Sequence, residues 1–497
     1  MSAAPQADAG ILVRGGQILE AGGSSRRADV LVRDGVIAEV GDLERDGTPE
    51  IDAGGDYVVP GLINSHYHSA ENFNPGLYEN LPLDLWFLHS HQVTRAEPPS
   101  AETIYARTML GAMQMLRTGT TSVVDFVFEA PEITVETLEP IVRAYRDAGL
   151  RATILLGVAD KPFADSLPLE PGERAAWTDE AEAPSLERIM DTGRAAIERW
   201  HDPDGLIAIG FGPSAPQRCT EALFERTLEL SRARGLAWQT HVLETRTQAL
   251  TARKWHRGSS FVEVLDERGM LGDHASLVHM VWLSDADIET MARTRTTAVH
   301  CPFSNMRLGD GIARLPALRR AGVRVGLGTD GRGCDETLDM LELARVTTLL
   351  HKVRGEHHAL WPTADDALSM LTGEASICTG RGERLGRIEP GAHGDLLVVR
   401  GDGITFTPVH DPVRQLLYGG SAADLRHVIV GGQVTVADGR LRTVDEREML
   451  ALARERAAAE MPHLRGRDGA PELERVVEDV YQRAEAAPLE VNAYIPG

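Results

Sequence analysis

The chain has 497 residues, a formal net charge of −23 and a sequence pI near 5.2. A mean field of that sign repels phosphate polymers and anionic lipid, so neither nucleic acid nor a membrane surface is an expected partner. No apolar run reaches the roughly 18 residues of a membrane span, and the opening MSAAPQADAG has no basic or apolar targeting region, so a cytoplasmic protein is expected.

In chain order, residues 11–60 read as short strands separated by glycine-containing turns: Ile11–Val13, Ala28–Val32 and Val36–Val40. From residue 61 to about 380 the pattern becomes strand, loop and helix, repeated. One helix carries Ile104, Met109, Ala112, Met113 and Leu116 behind a Ser100 N-cap and stops at Gly119; another carries Leu186, Ile189, Met190, Ile197 and Trp200. Between the helices lie apolar runs suited to strands buried on both faces: Gly61–Ser65, Thr121–Val127, Ala152–Val158, Leu206–Phe211, Leu236–Thr240, Ser276–His279, Thr297–His300 and Val323–Thr329. Eight such strands predict a closed parallel (β/α)₈ barrel, a fold of roughly 250 residues or more.

Strand signals return in Asp395–Arg400 and His427–Leu441, with a hairpin turn at Val430-Gly431-Gly432-Gln433. Strand-rich ends flanking a βα-repeating middle predict a small split β-sandwich from residues 1–60 and 385–443. The barrel then spans 61–384, and 444–497 is a helical tail expected to be peripheral. The cysteines Cys219, Cys301, Cys334 and Cys378 lack C-x-x-C spacing and read as reduced thiols, so a metal has to rely on histidine and carboxylate.

Such ligands are present. Alternation along an extended segment points His66 and His68 to the same side, so the two imidazoles can grip one ion. An isolated H-x-H is more often a hydrogen-bonding pair; repetition changes that reading. His241, His279 and Asp330 fall at the ends of strands five, six and eight, the barrel face where such enzymes place their chemistry. Imidazole and carboxylate suit one Zn²⁺, or alternatively Fe²⁺, with a position left for a water whose pKa zinc lowers to about 7. Glu244 follows His241 by three residues and is the natural proton shuttle, against the ordinary fate of a solvated glutamate.

The segments Val59–His68, Thr240–Glu244, Val278-His279, His300–Asn305, Gly328–Gly331, Leu385–Gly391 and Val428–Gly432 resemble the amidohydrolase superfamily, in its branch of cytosine-deaminase-like and s-triazine hydrolases. The resemblance covers roughly residues 10 to 442. It implies that His66, His68, His241 and Asp330 are ligands, that Glu244 relays a proton between water and substrate, that His279 orients the attacking water, and that Asp330 doubles as its base. Two-metal relatives need a carboxylated lysine on a barrel strand. The three lysines here, Lys161, Lys254 and Lys352, are placed beyond strand three, in a loop after the strand-five helix and past strand eight, so one metal per chain is expected.

Trp86, Phe87, His89 and His91 occupy the long loop after strand one, where an aromatic lid could stack on a flat heterocycle or simply anchor a helix. Gln217, His300, Asn305 and Asp335 are further candidates for substrate contact, each weighed against loop-shaping hydrogen bonds; Cys334 and Glu336 flank the last of them. The expectation is a mononuclear deaminase of an amino-substituted N-heterocycle, a purine, pyrimidine or s-triazine, releasing ammonia or amine. Hydrolytic dechlorination, N-dealkylation or cyclic-amide hydrolysis on the same scaffold is the runner-up, and a non-catalytic scaffold is remote because no expected ligand is missing. The small-molecule substrate is the chief partner, with homo-oligomerisation expected.

Overall fold

The computed structural model describes residues 10–22, 25–90, 97–175, 183–465 and 471–494. Its centre is a parallel barrel. Leu62–His68, Thr120–Val127, Arg151–Val158, Ile207–Pro213, Trp238–Val242, Ala275–His279 and Thr297–His300 each pair in parallel with the next. The eighth rung is split: Val325–Leu327 pairs with the seventh strand and Asp330–Gly331 with the first. Gly328 and Thr329 therefore carry the chain from one neighbour to the other and close the sheet.

Those strands form because their side chains are buried on both faces, with the surrounding helices supplying the outer cover. Val124, Phe126, Leu155, Val278, Val299 and Cys301 fill the interior. Ser100 caps the helix Ala101–Arg117 by accepting from the Thr103 amide, and Gly119 leaves it at a φ of +92°. A Cβ at Gly328 would lie 2.7 Å from the Cβ of His66, and one at Gly331 would lie 1.9 Å from Glu71 Oε2, so the glycines of the last rung let the seam approach the site.

The two chain ends share one sheet. Tyr57–Pro60 from the N-terminal part runs antiparallel to Leu396–Val399 from the C-terminal part, and Ile11–Ile18, Arg26–Arg33, Val36–Gly41 and Glu50–Asp52 extend it on one side, Leu425–Val430, Gln433–Ala437 and Arg440–Leu441 on the other. The hairpin after Val430 turns through Gly431 and Gly432, at φ of +54° and +82°. The sheet curls around its own core, in which Val13, Val30 and Val58 meet Leu396, Val398 and Ile429.

A buried ionic clamp fastens this sheet to the barrel. Arg151, at the start of the third barrel strand, donates through Nε and Nη2 to the two oxygens of Asp395 at 2.9 and 2.8 Å, and through Nη1 to the Gly205 carbonyl at 2.8 Å. Asp395 also accepts the Gly431 amide at 2.8 Å. Arg381 donates to the carbonyls of Pro203, Gly205 and Leu206 at 2.6, 2.8 and 3.1 Å.

Two expectations need correction. Lys254 lies inside the helix Arg246–Trp255, not in a loop after it, and its ammonium reaches the Pro168 carbonyl at 3.3 Å. The tail is helical over Glu446–Arg465 and Pro471–Ala486, yet its second helix packs on Arg246–Trp255, through hydrogen bonds from Arg246, and on the apolar face of Leu83–Ser90, beside the site. No described helix is long and apolar enough to cross a membrane.

Candidate active site

Five predicted residues meet at the C-terminal end of the barrel. The rings of His66 and His68 stand 4.7 Å apart, His66 and His241 4.9 Å, and His241 and His279 5.4 Å. Asp330 Oδ1 lies 3.1 Å from His68 Nε2 and 3.5 Å from His66 Nε2. The ligand atoms of His66, His68 and His241 all lie within 4.8 Å of one another, as do those of His66, His279 and Asp330.

The orientation of three rings follows from their outer nitrogens. His66 Nδ1 meets Gln239 Oε1 at 2.6 Å, His68 Nδ1 the Phe126 carbonyl at 2.6 Å, and His241 Nδ1 the Ser214 carbonyl at 2.6 Å. A carbonyl oxygen only accepts, so each Nδ1 carries the proton and each Nε2 turns a lone pair to the centre. His279 differs: the Asn305 amide nitrogen sits 3.1 Å from its Nδ1, which puts the proton on Nε2, 3.5 Å from Glu244 Oε1 and 3.9 Å from Asp330 Oδ2. Three rings offer an acceptor and the fourth offers a donor.

The electrostatics call for a cation. Burial pushes the pKa values of His66 and His241 down, whereas at His68, against burial, Asp330 raises the value to about 9; the added proton sits on Nε2 facing Asp330, and a cation taking its place would free the third lone pair. Burial would raise Asp330, but His66 and His68 hold it well below the usual carboxylate range. His66 Nε2 is buried with no hydrogen-bond partner. A lone pair without a donor, beside two more imidazoles and an ionised carboxylate, fits a divalent ion of the zinc type. Burial lowers His279 to about 3, so its ring is neutral.

Glu244 is 4 % exposed, and its amide donates to Gln248 Oε1 at 2.9 Å. Burial, then the nearby Asp310, Asp330 and Asp84, raise its pKa well above the ordinary value. Both influences favour the protonated carboxyl, the form that can give up a proton. The backbone is strained around these groups: Leu243, His279, Met280 and Asp330 have φ of +51°, +71°, +45° and +64°. Non-glycine residues pay roughly 1–3 kcal/mol each for this conformation, and such strain concentrates at functional sites.

A cavity open to solvent lies over the cluster. His68, His241, Glu244, His279 and Asp330 form its floor; Phe87, Phe128, Phe163 and Leu167 supply apolar wall. Of the loop candidates, Trp86 and Gln217 line it, and the Gln217 Oε1 is buried without a partner. Asn305 stands behind His279, His300 packs 5.8 Å from the ring of His351, and Asp335 accepts the Thr337 amide at 3.4 Å; none of the three is on the cavity lining. His89 lies 3.6 Å from Glu474, and His91 falls outside the described residues.

Three contributors were not singled out from the sequence. Glu71, 5 % exposed, accepts the Gly333 amide at 3.1 Å, and burial raises its pKa to about 7. It follows His68 by three residues, the same spacing that marks Glu244 after His241, so the signal was there. Asp84 lines the cavity from the helix Leu83–Ser90, with its pKa pushed up to about 6 by burial. Gln239 donates to the Ser65 carbonyl at 3.1 Å while its own oxygen fixes His66.

Comparison with known proteins identifies relatives over most of the chain. Residues 57–435 match the Amidohydrolase family. A 5'-deoxyadenosine deaminase of Methanothermobacter thermautotrophicus is 33% identical over 91% of this chain and 98% of its own length. A 5-methylthioadenosine/S-adenosylhomocysteine deaminase of Syntrophomonas wolfei is 31% identical over 82% of this chain and 88% of its own. Among solved structures, a zinc-bound adenosine deaminase from Xanthomonas campestris superposes with a TM-score of 0.79 at 26% identity, covering 90% of this chain and 98% of that one. The zinc-complexed atrazine chlorohydrolase of Arthrobacter aurescens shares the fold, with a TM-score of 0.81 at 24% identity over 90% of this chain and 100% of that one.

Proposed function

This chain belongs to the amidohydrolase family, and from that premise we propose that it is a mononuclear metal-dependent deaminase of a purine ring, with adenosine derivatives altered at the 5' position as the first substrates to test. The observation that carries the reading is the convergence of three Nδ1-anchored imidazoles and Asp330 beside the buried Glu244. His66, His68, His241 and Asp330 would hold the ion. Zinc bound there supplies Lewis acidity, bringing the pKa of water to about 7.

The chain's own groups do the rest. Asp330 Oδ2 accepts from Ser304 Oγ at 2.6 Å, which holds this carboxylate toward the cavity to take a proton from the attacking water. His279 presents its Nε2 proton between Glu244 and Asp330 and orients that water. Glu244 delivers its proton to the ring nitrogen as the water oxygen adds to the carbon bearing the amino group. The proton taken by Asp330 leaves with the departing amine, and the remaining hydroxyl proton passes to Glu244 as the carbonyl forms, which restores both carboxyl groups to their starting states. One water is consumed: its oxygen becomes the ring carbonyl, one hydrogen ends on the ring nitrogen and the other on ammonia. Gln217 offers an acceptor to a substrate N–H or hydroxyl. Phe128 and Trp86 give the flat ring apolar surface.

In this reading residues 61–384 carry the chemistry, 1–60 and 385–443 form the supporting split β-domain, and 444–497 the helical tail. The acidic charge and the unpaired buried cysteines suit a cytoplasmic enzyme, and the exposed Ile404 and Val409 suit burial between subunits. Ammonia release over a panel of adenosine, 5'-deoxyadenosine, methylthioadenosine, cytosine and s-triazines tests the activity. Turnover of a 5'-altered adenosine above the rest is expected; chloride release from an s-triazine with no adenosine turnover would overturn the deaminase reading.

A further inference from the structure

We infer that the C-terminal segment Leu473–Tyr494 braces the substrate pocket from behind, with Val477 and Arg483 acting as positioning residues for the wall that faces the substrate; this rests on the site reading above. The wall itself has little to hold it. Phe163 and Leu167 reach the cavity from residues 159–170, where the only regular structure is the single turn Ala164–Ser166, and Phe87 and Asp84 reach it from the eight-residue helix Leu83–Ser90. Short elements of this kind are fixed by what packs behind them.

What packs behind them is the tail. Val476 and Val477 share one apolar cluster with Leu88, Phe163, Ala164 and Leu167, and Val477 is fully buried. Phe87 and Phe163 stack at 4.6 Å within the same layer, one face of which lines the cavity. The helix Pro471–Ala486 is in turn fastened to the catalytic end of the barrel. Arg483 donates to both oxygens of Glu173 at 2.6 and 2.8 Å, just beyond the wall segment. Arg246, two residues after Glu244, donates to the carbonyls of Ala484 and Ala487 at 2.6 and 2.5 Å.

Farther along, the Ile312 amide donates to the Ala493 carbonyl at 2.8 Å, Arg354 to the Asn492 carbonyl at 3.0 Å, and Tyr494 sets its ring 5.3 Å from Trp282. The segment thus spans connections that follow the first, third, fifth, sixth, seventh and eighth barrel strands. It touches none of the ion-facing groups. Its effect is therefore on where the substrate's outer part rests, and the position of the metal ligands is independent of it.

Val477→Asp tests this by placing a charge in the shared cluster. Hydrogen exchange should speed up by about tenfold or more in residues 83–90 and 159–170 and stay unchanged in 62–68 and 325–331. KM should rise about tenfold with kcat and metal content near wild type. Should Val477→Asp fail to fold, the pair Glu173→Arg and Arg483→Glu decides: each alone should raise exchange and KM, and the double exchange should restore both. Unchanged exchange in the wall segments, or a charge swap that rescues nothing, overturns the inference. Exchange needs no substrate, so a wall that loosens as expected in a protein without deaminase activity would refute the activity and leave the strap standing.

Discussion

The two ends of the barrel both bury charge, and they treat it differently. At the N-terminal end, Arg151 spends three nitrogens on Asp395 and Gly205, and Asp395 receives a further backbone donor. At the C-terminal end His66 Nε2 and Gln217 Oε1 are buried with no partner, and three imidazole lone pairs face one point. Both ends hold ionisable groups below a tenth exposed. Where donors and acceptors are matched, the charge fastens one element to another. Where acceptors converge without a donor, and the backbone carries strain, the missing partner comes from outside the chain.

The largest effect expected from that contrast is at the unmatched end. His241→Ala should abolish both metal binding and turnover, and elemental analysis of the wild type should find about one zinc or iron per chain; two retained equivalents that both matter for activity would defeat the mononuclear reading. Glu244→Gln keeps size and hydrogen-bonding reach but removes the proton. Its kcat should fall by about 10²–10⁴-fold with metal content unchanged, measured by ammonia release and elemental analysis side by side. Retention of more than about a tenth of the wild-type rate would move the relay to His279 or Asp330.

At the matched end the readout inverts. Asp395→Asn leaves Arg151 buried without its counter-charge, which should cost about 3–5 kcal/mol of stability in denaturant unfolding, while the folded fraction keeps its metal and its kcat. A variant that lost activity per folded molecule would show that the two ends are coupled.

The smallest effect is on pH dependence. Burial lowers His300 to about 4, and it lowers His351, next to His300, to about 3. Unfolded, each histidine titrates near 6.5. Between those values the unfolded chain binds more protons, so stability should rise with pH from about 3–4 to about 6.5 and be lost as pH falls through that window. His351→Phe should flatten the slope by up to one proton, read from unfolding midpoints across the window. An unchanged slope would mean that the ring is not buried neutral.

The residues of the cluster were legible because their signal is local. A barrel strand ends where its apolar run ends, so His66, His68, His241, His279 and Asp330 announce the functional face through their distance from that boundary. Asp84 was not legible, since a carboxylate in Leu83–Leu88 gives no sign of which side of its helix meets the cavity. Asp335 and His300 show the same limit: His300 is the last residue of its strand and Asp335 lies in the loop after the eighth, and neither is among the residues lining the cavity. The tail reads as a helix from composition alone, and only contacts with residues hundreds of positions earlier show where it docks. Glu71 was the avoidable omission.

The split last rung has a consequence for how the protein is made. Asn64 donates to Thr329 Oγ1 at 2.7 Å across a sequence separation of 265 residues, and Asp330 joins the histidines only when this seam forms. Contacts of such separation are slow to form, because the loop between them must first be ordered. A growing polypeptide that has emerged from the ribosome through strand seven displays every histidine of the cluster but not the aspartate, nor the neighbour that fixes the orientation of the first strand. If His66, His68, His241 and Asp330 hold the proposed ion, metal loading would be tied to completion of the ring: an ion that needs all four groups would select finished molecules, and its binding would oppose reopening of the first and last strands.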